Sequence, residues 1–221
     1  MSSPSSAISF RLPAVFVLFA LCISVLLPFP GSLSVVATQA LSSFAATPGI
    51  ELIAEGGLVL LAASTLVAIV MAWVRRAGER PVLLAGALGV VLAYGLSELF
   101  KLTFAEPRPR TVWSTGRECP AAGDWSLPSN HATLAFGAVV VLAVASRSLW
   151  VAGAALVVAS AVAVGRVLQG VHYLHDVAIG ALVGLTVAMV LVWCARTWQR
   201  RRRGFVALTG GQDDSGNGEV G

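Results

Sequence analysis

Charged side chains are scarce in this chain of 221 residues. Asp, Glu, Lys and Arg together make up 12% of it, whereas soluble domains carry about 25%. Hydrophobic residues make up 57%, so the chain cannot cover a soluble surface with charge, and the ordinary water-soluble classes are excluded. The remaining solvent for such a composition is lipid.

Cysteine, histidine and lysine are also rare. The three cysteines, Cys22, Cys119 and Cys194, lack the spacing of a metal or redox motif, so no disulfide framework or zinc site is predicted. The net charge of +4 is not arranged as a basic stripe interleaved with aromatic residues, which argues against a nucleic-acid partner. Lys101 stands out because it is the only lysine among fifteen basic residues.

Six apolar runs of 15 to 20 residues follow one another, at 12–29, 56–74, 81–100, 131–145, 149–165 and 177–195. Because about 20 residues of helix cross a hydrocarbon core of roughly 30 Å, they predict an all-α polytopic membrane protein, a bundle of six transmembrane helices. We expect one domain over residues 1–203, a short interfacial helix within 31–50, and a disordered cytoplasmic tail over 204–221. The first run is either a first span or the core of a secretory signal, and its length favours an uncleaved span.

The arginines sort to one side of this topology. Ten of the fifteen basic residues fall in the same set of loops: Arg11, Arg75, Arg76, Arg80, Arg147, Arg196 and Arg200 to Arg203. By the positive-inside rule that side is cytoplasmic, and so is the C-terminus. The other five basic residues lie on the opposite side with all three histidines: Lys101, Arg108, Arg110, Arg117 and Arg166. The positive-inside rule does not explain basic residues on this side, so we expect them to have a functional role.

The first polar cluster on that side runs from Lys101 to Pro109. Lys101 supplies a point charge and Arg108 a planar fork, and both suit phosphate oxygens. Pro107 and Pro109 restrict the backbone around Arg108, which reduces the entropy lost in positioning it. Glu98, one turn before Lys101, is expected to pair with it. The alternative is a juxtamembrane basic loop that touches lipid head groups.

The second cluster is Pro128-Ser129-Asn130-His131, at the start of the fourth apolar run. A serine before such a run is a good N-cap, and the free N–H groups and dipole of a helix start favour an anion. His131, in the first turn, would point at whatever binds there. The alternative is an ordinary helix start with an interfacial histidine.

The third cluster contains Arg166, His172, His175 and Asp176, between the last two runs. His172 and Asp176 are four residues apart, so on a helix they would share a face. A carboxylate that accepts from one imidazole nitrogen fixes the tautomer and leaves the other nitrogen to attack. The pair could instead be structural. A metal site of His172, His175 and Asp176 is disfavoured, because adjacent residues diverge on a helix and no nearby cysteine or carboxylate completes the shell.

Together the three clusters resemble the signature of the type 2 phosphatidic acid phosphatase superfamily, over residues 95–195. The matching parts are Lys101-x6-Arg108-Pro109, Pro128-Ser129-Asn130-His131 and Arg166-x5-His172-x3-Asp176. The resemblance implies a six-helix membrane phosphatase that hydrolyses lipid phosphates or diphosphates without a metal or another cofactor. The predicted topology places its site on the extracytoplasmic side.

The resemblance also implies residue roles. His172 is the nucleophile that forms a phosphohistidine, Asp176 orients it, and His131 is the general acid that protonates the leaving oxygen. The phosphoryl oxygens are held by Lys101, Arg108, Arg166 and Ser129.

Two positions depart from the family pattern. Asn130 stands where glycine is usual, and Gly165 stands where serine is usual. Asparagine tolerates a left-handed backbone, and its amide could donate to a phosphate oxygen, so Asn130 is counted among the phosphate-binding residues. Gly165 removes a possible hydroxyl donor near Arg166. We expect activity to survive both changes.

Prenyl diphosphate is the first substrate hypothesis by resemblance, with phosphatidic acid and phosphatidylglycerol phosphate as alternatives. Membrane lipids are the other expected partners, and the oligomeric state is not indicated. Two other functions remain open: a non-catalytic binder of lipid phosphates, and a small transporter, which should show paired broken helices in its two halves. A vanadate-dependent oxidase shares the resemblance but does not fit a six-span chain.

Overall fold

The computed structural model describes residues 30–113, 121 and 123–210, with side chains up to residue 203. Several sequence predictions lie outside these residues. They concern the first apolar run, the sides assigned to Arg11 and Arg117, the surroundings of Cys22 and Cys119, and the tail beyond residue 210.

Within the described ranges the chain is helical and contains no strand. In chain order the helices are α1 (Leu33–Ser42), α2 (Gly57–Arg75), α3 (Arg80–Phe104), the short α4 (Pro109–Val112), α5 (Asn130–Ser146), α6 (Leu149–Leu168) and α7 (Leu174–Gly210). A π-helical turn, Leu52–Gly56, leads into α2, and a 3₁₀ turn, Ala77–Glu79, leads into α3. The second to sixth apolar runs therefore correspond to α2, α3, α5, α6 and α7. Helix α7 continues to Gly210, so the disorder predicted for residues 204–210 is wrong.

Four stretches are long and apolar enough to cross a membrane: Leu52–Arg75, Ala77–Val112, Leu149–Leu168 and Leu174–Arg203. Helix α5 is apolar as well but has 17 residues. These observations confirm the all-α, membrane-spanning class, and α1 is the short helix expected within 31–50. The remaining predicted span is the first apolar run, which lies outside the described residues.

Helix α5 forms the centre of the bundle. It packs against α2, α3, α6 and α7, and most of its circumference is buried, including Ala135, Val141 and Leu142. A helix that is apolar all round belongs inside a bundle. The surrounding helices expose large apolar side chains, such as Leu66 and Leu182, as expected of surfaces that contact lipid rather than water.

Two glycines of α7 set its distance from α5. A Cβ at Gly180 would lie 2.5 Å from the carbonyl oxygen of Ser129, and one at Gly184 would collide with the carbonyl oxygen of Thr133. The small-xxx-small spacing of these glycines predicts such packing, and the structure confirms it. The close approach joins the starts of α5 and α7, where the Ser129 N–H donates to the carbonyl oxygen of Asp176 at 3.1 Å.

The chain reverses direction at the end of α3. Ala105, which caps this helix, has a left-handed backbone with φ 46°. The segment after it carries Glu106 and Arg108 back to the start of α7, where they contact His175 and His172. This reversal brings the first sequence cluster to the third.

Candidate active site

Arg108 is fixed within the site by three acceptor atoms. Its Nε donates to the carbonyl oxygen of Asp124 at 3.1 Å, and its Nη2 donates to the Asp124 carboxylate at 2.6 Å. Its Nη1 donates to the carbonyl oxygen of Val171 at 3.0 Å. The residue is 8% exposed. Because these bonds hold the guanidinium plane, its position is set before a ligand binds.

His172 lies next to Arg108 and is buried, with 2% of its surface exposed. Its Nε2 is 3.3 Å from Nη1 of Arg108. A guanidinium can only donate, so an Nε2 that accepts from it carries a lone pair. The ring proton is then on Nδ1, which lies 3.4 Å from Oδ2 of Asp176. In this tautomer Nε2 would be the attacking nitrogen, and that role stays a prediction.

The expectation that His172 and Asp176 share a helix face is wrong. Helix α7 begins at Leu174, and His172 lies in the turn between α6 and α7, where Gly170 has φ 65°. Asp176 still reaches His172 because its carboxylate folds back over the first helical turn. There Oδ2 accepts from the Tyr173 N–H at 2.7 Å, as an acidic residue at the third helical position does in a capping box.

Burial lowers the pKa of the His172 imidazole well below its ordinary value, and nearby positive charge lowers it further, from Arg108, Arg166, Lys101 and His131. The ring is therefore neutral near pH 7, and the neutral imidazole is the nucleophilic form. The same electrostatic interactions place residues of all three sequence clusters within electrostatic range of His172.

Two buried donors in the site have no hydrogen-bond partner among the described residues: Ser129 Oγ and Arg166 Nε. Ser129 occupies the N-cap position of α5, but its hydroxyl does not cap the helix, so the capping bond expected from the sequence is absent. Arg166 donates through Nη1 to Oε1 of Gln169 at 3.0 Å. An unpartnered buried donor costs about 1–3 kcal/mol, and a ligand oxygen that accepts from it would recover that energy.

Lys101 and Asn130 share one carboxylate oxygen. Nζ of Lys101 donates to Oε1 of Glu98 at 3.1 Å, which confirms the expected pair. The Asn130 amide donates to the same oxygen, and its Oδ1 accepts from Ser97 Oγ at 2.7 Å. Asn130 is the first residue of α5 and its φ is negative, so this position does not use the left-handed conformation that asparagine tolerates. Its amide is engaged with Glu98, and its contact with phosphate stays a prediction.

Gly165 is explained by helix packing. A Cβ at this position would lie 3.1 Å from the Cβ of Ala54, in the π-helical turn that leads into α2. The missing side chain lets this turn lie directly against α6. The turn also brings Glu55 to 3.9 Å from Nη1 of Arg166, although the Glu55 side chain remains 66% exposed.

His175 belongs to a buried cluster that the sequence reasoning missed. Its Nε2 lies 3.0 Å from Oε1 of Glu106 and 3.2 Å from Oδ1 of Asp176, and its Nδ1 lies 2.8 Å from Ser34 Oγ. The expectation that His175 and Asp176 diverge, with no carboxylate nearby, is therefore wrong. Glu106 arrives from the reversed segment after α3, which spacing along the chain could not show. The ligand atoms of Glu106, His175 and Asp176 lie within 4.8 Å of one another, close enough to share protons or a metal ion.

Ser126 is another functional candidate without a sequence signal. Its hydroxyl donates to Oδ2 of Asp176 and lies 3.5 Å from Nδ1 of His172. It comes from the irregular segment before Pro128, where no periodicity or motif spacing marks it. With Tyr173, it gives Asp176 Oδ2 two donors besides His172.

The chain matches known proteins over the same region. A family model described as the PAP2 superfamily matches residues 82–200. A lipid A 1-phosphatase of Porphyromonas gingivalis is 33% identical over 113 residues, which cover 50% of this chain and 23% of that protein. An undecaprenyl-diphosphatase of Sulfolobus acidocaldarius is 34% identical over 107 residues, 48% of this chain and 51% of that protein.

Two further similarities are shorter or more distant. The bacitracin transport permease protein BcrC of Bacillus licheniformis is 39% identical over 75 residues, 33% of this chain and 34% of that protein. The matched region thus spans about half or less of each of these curated relatives. The crystal structure of Aquifex aeolicus LpxE superposes with a TM-score of 0.40 at 21% identity, over 65% of this chain and 92% of that one.

Proposed function

Because the chain belongs to the PAP2 superfamily, we propose that it is an integral membrane lipid phosphatase. In this proposal it hydrolyses a lipid phosphomonoester or diphosphate through a phosphohistidine on His172, without a metal ion. The observation that carries the proposal is the state of His172: a buried, neutral imidazole whose Nε2 lies 3.3 Å from a fixed guanidinium. A phosphoryl group is an anionic electrophile. The Arg108 guanidinium can bind its negative oxygens while the nitrogen of His172 attacks its phosphorus.

The surrounding cations supply what phosphoryl transfer needs. Negative charge is spread over three equatorial oxygens in the transition state, so catalysis depends on positioning and electrostatic stabilisation. Arg108 is already held in place, and Lys101 and Arg166 lie close enough to influence the charge of His172. The unpartnered Ser129 Oγ and Arg166 Nε would donate to phosphoryl oxygens.

The proposed reaction has two steps. Nε2 of His172 attacks phosphorus, the bond from phosphorus to the leaving oxygen breaks, and that oxygen takes a proton from doubly protonated His131, the form that the negative charge of the bound phosphate favours. Water then attacks the phosphohistidine, His131 regains a proton from it, and cleavage of the phosphorus–nitrogen bond releases phosphate. The Asp176 carboxylate accepts a hydrogen bond from the protonated Nδ1 of His172 throughout, and it stabilises the positive charge that forms on the ring. Asn130 acts next to this chemistry and is proposed as a further phosphate contact.

A lipid substrate is supported by an apolar cavity of about 370 Å³ between α2, α3 and α5. Leu134, which lines it, lies one helical turn from His131. A hydrocarbon chain in this cavity would keep its phosphate near the site. A prenyl diphosphate is our first substrate, since a matched relative is an undecaprenyl-diphosphatase. A lipid A phosphate, phosphatidic acid and phosphatidylglycerol phosphate are the alternatives.

Phosphate release by the purified protein, with EDTA present, tests the proposal on a panel of these four lipids. We expect release by the wild type and none by His172→Ala. Thr103→Ala is the matched control, because this exposed side chain of α3 bonds only to the Leu99 carbonyl oxygen among the described contacts, and it should keep full activity. Release by His172→Ala would contradict the nucleophile. Loss of wild-type activity with EDTA would contradict metal independence.

A non-catalytic binder predicts a different result from the same panel. Both wild type and His172→Ala would bind lipid phosphate, and neither would release phosphate from any lipid. The two departures from the family pattern would favour that alternative, but Gly165 has a steric explanation and Asn130 remains bonded within the site. We therefore propose the enzyme rather than the binder.

The site is proposed to face the extracytoplasmic side. Ten of the fifteen basic residues lie in loops at the opposite end of the predicted topology, and such a bias marks the cytoplasmic side. A reporter that is active only in the cytoplasm, fused after Arg203, should be active. An inactive reporter, together with activity of a periplasmic reporter at the same position, would reverse the orientation.

A further inference from the structure

We propose that Glu106 and His175 form a positioning pair that holds Asp176 in the orientation in which it supports His172. This inference rests on the function proposed above. Neither residue touches the reacting atoms. Both are buried or half-buried beside Asp176, with His175 and Asp176 fully inaccessible.

The protonation of His175 Nε2 follows from the carboxylates that face it, because ionised carboxylate oxygens can only accept. The ring proton of neutral His175 is therefore on Nε2. The Ser34 hydroxyl oxygen accepts from the His175 backbone N–H at 2.9 Å and lies 2.8 Å from Nδ1, so it can donate its own proton to the unprotonated Nδ1. In the doubly protonated ring Nε2 carries a proton as well, so it donates in both states.

The Nε2 proton faces two carboxylates. Nε2 itself lies 3.0 and 3.2 Å from the two oxygens of Glu106 and 3.2 Å from Oδ1 of Asp176. The contact with Glu106 has hydrogen-bond geometry. Oδ1 of Asp176 makes no hydrogen bond with Nε2, so the attraction between these two atoms is electrostatic. Without His175, the carboxylates of Glu106 and Asp176 would face each other in a buried space. Their oxygens lie within 4.8 Å, and like charges at that distance repel.

Glu106 acts on both oxygens of Asp176. Through its side chain it orients His175 against Oδ1. Through its carbonyl oxygen it accepts from the Ser126 N–H at 2.8 Å, and the Ser126 hydroxyl donates to Oδ2. Oδ2 is the oxygen that faces Nδ1 of His172 at 3.4 Å. The carboxylate of Asp176 is therefore held from both sides by one residue of the reversed segment.

The test compares substitutions of His175 in the full-length protein. His175→Leu removes the Nε2 donor, whereas His175→Gln keeps an N–H at a similar distance from the backbone. We expect kcat of His175→Leu to fall by about 10–100-fold, as for other groups that orient a catalytic residue, with KM changed by less than about threefold. His175→Gln should restore most of kcat. A loss confined to KM, or no difference between Leu and Gln, would overturn the proposal.

A double-mutant cycle separates positioning from a general loss of structure. If His175 acts through Asp176, then His175→Leu should have little further effect once Asp176→Asn is present. Multiplicative losses would overturn the proposal, because they would show that His175 acts independently. Thermal stability of each variant serves as the folding control. If His175→Leu does not fold, the same cycle is measured with His175→Gln.

Two readouts keep this test distinct from that of the function itself. Orthovanadate mimics phosphate and accepts a fifth ligand from a nucleophilic nitrogen, so its affinity reports on His172 without turnover. Weaker binding by His175→Leu than by His175→Gln is expected even if no lipid is hydrolysed, and equal binding would overturn the positioning role. A stoichiometric metal in the purified wild type that His175→Leu lacks would also overturn it, since the three side chains would then be metal ligands.

Discussion

The two ends of the helix bundle are both rich in arginine, but they hold it in different surroundings. At the site end Arg108 is 8% exposed, and its guanidinium bonds to three fixed acceptor atoms. At the opposite end the Arg147 side chain is 64% exposed, and Arg200 to Arg203 are exposed as well. There the carboxylate of Glu79 accepts from Arg76 at 2.8 Å and also pairs with Arg147.

The comparison shows that surroundings rather than the number of charges make a site. Exposed ion pairs are worth about 0–1 kcal/mol and are screened by salt. Breaking a buried pair by removing one partner costs about 3–5 kcal/mol, since it leaves the other charge uncompensated. The effects of substitution should therefore decrease steeply from the site to the arginine-rich end.

The largest effect in this comparison is expected for Arg108→Lys. Lysine keeps the charge but cannot form the planar set of bonds to Asp124 and Val171, nor present two donors to a phosphoryl group. Loss of one fixed donor to a transition-state oxygen costs about 10²–10³-fold in kcat. Phosphate release at saturating lipid, with thermal stability measured in parallel, checks this.

Arg202→Lys is the matched change at the opposite end. The Arg202 guanidinium stacks over Trp198 at 4.1 Å from the ring centroid, and lysine retains most of that cation–π contact. Activity should stay within about twofold of the wild type, as for surface substitutions in general. Equal losses in the two variants would show that the arginines of the two ends contribute equally to activity.

Ser129→Ala should come next in size and separates catalysis from stability. The hydroxyl is buried and has no partner among the described residues, so its removal should leave the melting temperature unchanged or raise it. A hydrogen bond to a charged group is worth about 1.5–3 kcal/mol, so kcat/KM should fall by about 10–100-fold. A lower melting temperature with unchanged kcat/KM would show that Ser129 is structural.

The helices and most site residues could be predicted from the sequence. Apolar runs mark α2, α3, α5, α6 and α7 because lipid requires continuous apolar surface. The three polar clusters mark the site because charge between spans is costly. Lys101, Arg108, His131 and Arg166 lie close enough to lower the pKa of His172, and their roles in one site remain predictions.

The partners of these residues could not be predicted, for two physical reasons. Ser34 and His175 are 141 positions apart, and Ser126 lies in an irregular segment without a period. The other reason is that spacing arguments assume a regular helix. Asp176 belongs to the first turn of α7 and His172 precedes this helix. The two residues therefore do not share a helix face as predicted, although their side chains are in contact.

Asn130→Gly restores the residue that is usual in the family and should have a smaller effect. It removes one of the two donors to Oε1 of Glu98, and Lys101 remains as the other. Loss of one such bond costs about 1 kcal/mol at a half-exposed carboxylate, so activity should change by less than about tenfold, mainly in KM. Titration of initial rates against lipid concentration measures this.

Glu98→Gln is the companion to that experiment. The amide retains a hydrogen-bond acceptor for Lys101 but lacks the charge that both donors share. If Asn130 acts through Glu98, the double variant should behave like Glu98→Gln alone. A direct contact of the Asn130 amide with phosphate, as the sequence suggests, would instead give losses that multiply.

The smallest effects should come from substitutions of Arg147, at the arginine-rich end. Two variants of this residue separate the contribution of its charge to stability from that of its backbone conformation. Arg147→Gln removes the ion pair with Glu79 but keeps the left-handed φ of 56°, so stability should fall by at most about 1 kcal/mol and less at high salt. Arg147→Gly also relieves the left-handed strain, worth about 1–2 kcal/mol for other residues, and should match or exceed Arg147→Gln in melting temperature. Neither variant should change phosphate release, because the lost charge is exposed and lies at the end opposite His172. Reduced turnover in either, at unchanged stability, would mean that the two ends are coupled through the bundle.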